Sequence, residues 1–139
     1  MECDAISKFV KLNLHANQVS LFPDQLWIYN VNEQHKRVHA AGIAADIRRH
    51  LPGPDAVVLD HGCGEALYAE EIARACRQLV LCEAAPKVCE ILARRLSNQQ
   101  NVQILEPLGV ERLPAKSLDL VVVNSLLQYL TRDVLEALL

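Results

Sequence analysis

The stretch "AVVLDHGCGEALYAEEIA", residues 56–73, constrains the fold more than any other part of this chain. Four apolar residues end in Asp60, two glycines come next with one residue between them, and a helical pattern begins. A short, continuous, β-branched run is the mark of a strand buried on both faces. Gly62 and Gly64 allow a tight turn and bring bare N–H groups close to a ligand. The helix after the turn points its positive dipole end at the same place. A turn needs glycine but has no need of the acid, so Asp60 points to a positively charged group held there.

The strand-turn-helix pattern recurs along the chain. A helix is expected from Asn32 to His50, with Ala40, Ile43, Ala44, Ile47 and Leu51 on one face, and "LPGPD" stops it. Strands are expected at 56–59, 79–82, 102–105 and 118–124. Helices are expected from the glycine turn to about Arg77, with Ala69, Ile72, Ala73 and Cys76 inward, and over "APKVCEILARRL", with Val88, Ile91 and Leu92 inward. Thr131 is the expected N-cap of a last helix, and "VSLFPDQLW" holds a proline turn expected to pack on the segment after it. Strands alternating with helices imply right-handed crossovers and an α/β fold, a parallel sheet with helices on both faces. Ligands in such sheets sit beyond the C-terminal ends of the strands, where Asp60, Glu83 and Asn124 fall.

Composition narrows the class. The chain has 139 residues, 51% of them hydrophobic and 22% charged, which suits one soluble globular domain. A formal net charge of −3 gives no basic footprint for nucleic acid. No apolar run approaches the ~20 residues of a membrane span. Five cysteines, Cys3, Cys63, Cys76, Cys82 and Cys89, form no CxxC pair and read as reduced cytoplasmic thiols rather than disulfides or a zinc site. His35 and His39 have zinc-pair spacing but no evident third ligand, so no metal is expected. His61 reads as a loop side chain with a general-base role open, and Trp27 and Tyr29 as packing groups or a cover over the ligand.

Two features decide what the glycine turn holds. A dinucleotide fingerprint wants a third glycine at position 67, where Leu67 stands. An acid beside a pyrophosphate is repulsive, whereas an acid beside an ammonium, with a carboxylate on the helix end, is attractive. Glu83 ends the second strand about twenty residues after the glycines, where a ribose lies in a doubly wound sheet. A ligand with both an amino acid and a ribose points to S-adenosylmethionine.

The segments "VVLDHGCGEALYAEEIA", "LVLCEAAPKVCEIL" and "SLDLVVVNSLLQYL" resemble class I S-adenosylmethionine-dependent methyltransferases over residues 32–139, with residues 1–31 as an N-terminal extension. The resemblance implies a three-layer Rossmann-like sheet. It implies that Asp60, Gly62, Cys63 and Gly64 surround the methionine part, that Glu83 takes the ribose hydroxyls with Ala84 beside the adenine, and that Asn124 lies near cofactor and acceptor. Three departures stand out. Ala66 replaces a frequent third glycine, which is tolerable if that residue is already helical. No Asp comes after the third strand, so backbone near Gly109 or Val110 would have to meet the adenine. The family's sheet has seven strands and the fourth is the last one visible here, so the chain reads as the N-terminal half of the fold. Cofactor-dependent methylation of a small molecule is the expected function. A non-catalytic Rossmann-like binding domain is the alternative, and a nucleotide-dependent oxidoreductase is disfavoured by Asp60 and Leu67. With no fifth strand, the apolar edge of 118–124 is expected to be open and to pair with a second copy in a homodimer.

Overall fold

The computed structural model describes residues 8–10 and 33–124. The expectations for Cys3, the proline turn, Trp27, Tyr29 and the Thr131 helix lie outside the described residues. The elements run β1 (Lys8–Val10), α1 (Glu33–His50), β2 (Val57–His61), α2 (Ala69–Ala75), β3 (Gln78–Cys82), α3 (Pro86–Arg95), β4 (Val102–Leu105), α4 (Pro107–Val110) and β5 (Leu120–Val122). They form one parallel sheet in the order β1-β5-β2-β3-β4.

Alternation along the buried strands divides the core between the two faces of the sheet. Val58, Leu79, Leu81, Leu120 and Val122 face α1, α2 and α3, where Ile47, Ile72 and Leu92 are fully buried. Val57, Leu59, Val80, Cys82, Val121 and Val123 face the other way, against Leu105, Val110 of α4, Leu113 and Leu118. Most expected positions hold, but Ile91 is exposed. Leu92 takes the sheet-facing position on α3, and Leu96, four residues on, continues that face. The short α4 begins at Pro107, whose fixed φ suits a first helical turn. The expected strand at 118–124 is shorter at both ends, Leu120–Val122, and Asp119 just before it is tied to β2: its N–H donates to the Val57 carbonyl at 2.9 Å and its Oδ2 accepts from the Val57 N–H at 2.8 Å.

The edge of β5 is not open. Lys8, Phe9 and Val10 pair in parallel with Leu120, Val121 and Val122, so β5 has β1 on one side and β2 on the other. The uncharged run around β5 marks a strand paired on both sides, as the sequence pattern indicates. Its second neighbour comes from the start of the chain, where sequence pattern is weak because three residues suffice for the pairing. The edge through which a second copy was expected to pair is occupied by β1.

Candidate functional site

β2 and β3 end side by side, with His61 in register with Cys82. The turn after β2 is fixed from below, because the Cys82 carbonyl accepts from both the Gly62 N–H (2.9 Å) and the Cys63 N–H (3.1 Å). Gly62 and Gly64 have φ of 74° and 56°, the left-handed region where a Cβ is costly. A Cβ built at Gly64 meets nothing within 4 Å, so this side of the turn faces open space.

Ala66 departs from the expectation of a helical residue: its φ is 40°, while α2 begins only at Ala69. A left-handed alanine costs roughly 1–2 kcal/mol relative to a right-handed one. The fork of Arg95 reaches this point from the last turn of α3. Its Nη1 donates to the Glu65 carbonyl at 2.7 Å and its Nη2 to the Ala66 carbonyl at 2.6 Å. Its Nε lies 3.3 Å from Glu70 Oε1, an ion pair whose geometry does not make a hydrogen bond. In sequence Arg95 looks like a solvated charge complementing a helix end; only the packing of α3 beside the turn brings it there.

Asp60 is 1% exposed, at the end of β2 and under the turn. Tyr68 donates its hydroxyl to Asp60 Oδ2 at 2.5 Å, while Oδ1 is buried and unpartnered. Burial pushes the Asp60 carboxyl up to about 7; the Tyr68 hydrogen bond opposes this and nearby Glu83 adds to it. The Tyr68 phenol is held well above its usual range by burial and by Asp60. Sequence reading missed Tyr68; the available signal was a phenol in an apolar helix start, since a buried Tyr hydroxyl needs a partner.

Glu83, expected to take ribose hydroxyls, binds backbone. Its Oε2 accepts from the Gly64 N–H at 3.0 Å, and its Oε1 from the N–H groups of Ala84 and Ala85, both at 2.8 Å. It therefore ties the glycine turn to the start of α3. A carboxylate has about four acceptor sites, so capacity remains for a ligand hydroxyl. Cys63 is buried, its thiol directed at the Gly64 carbonyl and its pKa raised by burial, which makes it a packing group and not a nucleophile. His61 is partly buried with Nδ1 unpartnered, and burial lowers its pKa against the opposing pull of Glu83. Asn124 lies two residues past Val122, which is in register with Asp60, and so shares this end of the sheet. His35 and His39 are exposed on α1, and among the described residues no group of three metal-ligating side chains gathers.

The arrangement suits a ligand with a cation for Asp60 Oδ1, an anion or carbonyl for the turn and hydroxyls for Glu83. No curated protein sequence matches the chain. A family model described as a methyltransferase domain matches residues 58–139. Among solved structures, phosphoethanolamine N-methyltransferase 1 of Haemonchus contortus, in complex with phosphoethanolamine and S-adenosylhomocysteine, is 28% identical. It matches over 76% of this chain and 23% of its own, with a TM-score of 0.62. A Pseudomonas syringae protein described as a methyltransferase is 23% identical over 76% of this chain and 64% of its own, with a TM-score of 0.57, and shows the fold. This chain thus spans about a quarter of the length of the first and under two thirds of the second. With more than half its length matched, and with a glycine turn between the buried Asp60 and Glu83, the chain belongs to the methyltransferase-domain family, a Rossmann-like class of S-adenosylmethionine-dependent methyltransferases.

Proposed function

We propose that this chain carries mainly the cofactor-binding half of an enzyme that moves a methyl group from S-adenosylmethionine to a small-molecule acceptor. The observation that carries the reading is Asp60: a buried acid with one oxygen held by Tyr68 and the other unpartnered beside the glycine turn. Leaving a buried acceptor unpaired costs about 1–3 kcal/mol, and a ligand ammonium would remove that cost. The small-molecule acceptor is supported by the phosphoethanolamine bound to the Haemonchus contortus enzyme. A cytoplasmic location is supported by the four free thiols among the described residues. Among those residues no helix is long and apolar enough to cross a membrane.

When bound, the cofactor supplies an activated methyl on a sulfonium. The chain's share is to hold and orient. Asp60, the Gly62–Gly64 turn and Cys63 would hold the amino-acid end, with Asp60 ionised toward the ammonium and its proton released to solvent. Glu83 would take a ribose hydroxyl with its remaining lone pair, and Ala84 would lie beside the adenine. Asn124 stands on the acceptor side. Alignment of acceptor, methyl and sulfur supplies the rate advantage of such a reaction. A rival reading is a non-catalytic Rossmann-like binding or interaction domain.

Calorimetry separates these readings from a nucleotide-binding one. S-adenosylhomocysteine should bind in preference to NAD. Glu83→Ala should weaken it by about 1.5–3 kcal/mol, and Gly62→Val should abolish binding by blocking the left-handed turn. Equal affinity in wild type and both variants would overturn the cofactor assignment. Turnover of labelled donor with small amines and phosphoamines then distinguishes catalysis from binding alone.

A further inference from the structure

We propose that Arg95 is a positioning residue for the cofactor turn, holding Ala66 in the left-handed conformation that a glycine would adopt unaided. The proposal rests on the reading of that turn as the cofactor site. Two consecutive carbonyls, Glu65 and Ala66, take the two arms of one guanidinium at 2.7 and 2.6 Å. These carbonyls come directly after Gly64, whose N–H is bound by Glu83. The Ala66 carbonyl also accepts from the Ala69 N–H at 2.9 Å, and the Ala66 N–H donates to the Cys63 carbonyl at 3.2 Å. Rotation of Ala66 back to negative φ would therefore break contacts on both sides and shift the turn. Charge-assisted bonds in a planar fork are strong and directional. A lysine at 95 offers a point charge and cannot bond both carbonyls in this fixed geometry.

Were the ion pair with Glu70 the role of Arg95, Glu70→Gln would loosen the turn as much as Arg95→Met does; the fork predicts otherwise. Loss of the fork should loosen the turn without unfolding the sheet. Replacement of Ala66 by glycine should remove the need for the fork. Removal of the Glu70 charge should matter little to the turn.

The test measures S-adenosylhomocysteine affinity by calorimetry, and amide hydrogen exchange at Gly64 and Ala66, in Arg95→Met, Arg95→Lys, Glu70→Gln and Arg95→Met/Ala66→Gly. Arg95→Met should bind about tenfold or more weakly and exchange faster at both amides, with its circular dichroism retained. Arg95→Lys should be intermediate. The double variant should recover to within about threefold of wild type, and Glu70→Gln should stay within about twofold. Wild-type affinity in Arg95→Met, or a loss that Ala66→Gly fails to restore, would overturn the proposal. Should Arg95→Met fail to fold, Arg95→Lys with and without Ala66→Gly carries the same comparison. If wild type itself fails to bind S-adenosylhomocysteine, the cofactor reading falls. The exchange data then judge Arg95 alone, and unchanged protection would reject it.

Discussion

Asp60 shows how one buried carboxyl links folding to ligand binding. An aspartate ionises near 3.8 in the open chain, and burial moves Asp60 to about 7. Between those values the folded chain holds a proton that the unfolded chain has lost. Its stabilising contribution is complete below pH ~4, falls as pH rises, and is gone above pH ~7. Three units correspond to a few kcal/mol. Urea unfolding of the ligand-free protein should therefore show a lower midpoint at pH 8 than at pH 5, and Asp60→Asn should flatten that difference. Ligand affinity should run the other way, because an ammonium favours the ionised acid. The Kd for S-adenosylhomocysteine should rise about tenfold per pH unit below 7. A pH-independent Kd between 5 and 8 would show that Asp60 does not meet the ligand's charge.

At the scale of elements, side chains that bridge helix ends hold the layers in place. α2 has only seven residues, and its terminal carbonyls depend on Asn101, whose Nδ2 donates to the Ala73 carbonyl at 2.7 Å and the Cys76 carbonyl at 3.2 Å. The backbone of the same residue accepts from the Leu79 N–H at 2.9 Å, so one loop position closes α2 and guides β3. Asn101→Ala should cost about 1–3 kcal/mol in urea unfolding. Arg48→Ala, which removes an exposed pair with Glu71 at 3.0 Å, should change stability by less than about 1 kcal/mol. Equal effects of the two substitutions would contradict this ranking.

For the whole molecule, β1 decides how the sheet meets its surroundings. An apolar strand with an unpaired edge is a template for another chain. Lys8–Val10 occupies that edge of β5. Removal of residues 1–10 should expose it and cause association at concentrations where the intact chain sediments unchanged. Sedimentation velocity of the two forms at equal concentration checks this. Identical profiles would mean that β1 does not protect the edge.

The local pattern of residues 33–124 was enough to place β2, β3, β4 and the three longer helices, because one-sided or two-sided burial and a break at each turn are written in consecutive residues. The glycine turn and its two acids were legible for the same reason: φ above zero calls for glycine, and a charge at a strand end calls for a partner. Contacts between residues distant in sequence were not legible. Arg95 reaches Ala66 across 29 positions, Asp119 reaches Val57 across 62, and β1 joins β5 from the far end of the chain. The partner of Tyr68 is only eight residues away, yet it too depends on a turn that folds the phenol back over the strand. Sequence determined which groups needed partners, through burial and conformational preference. Tertiary structure decided which partners they received, because packing of strands and helices sets distances that no local pattern encodes.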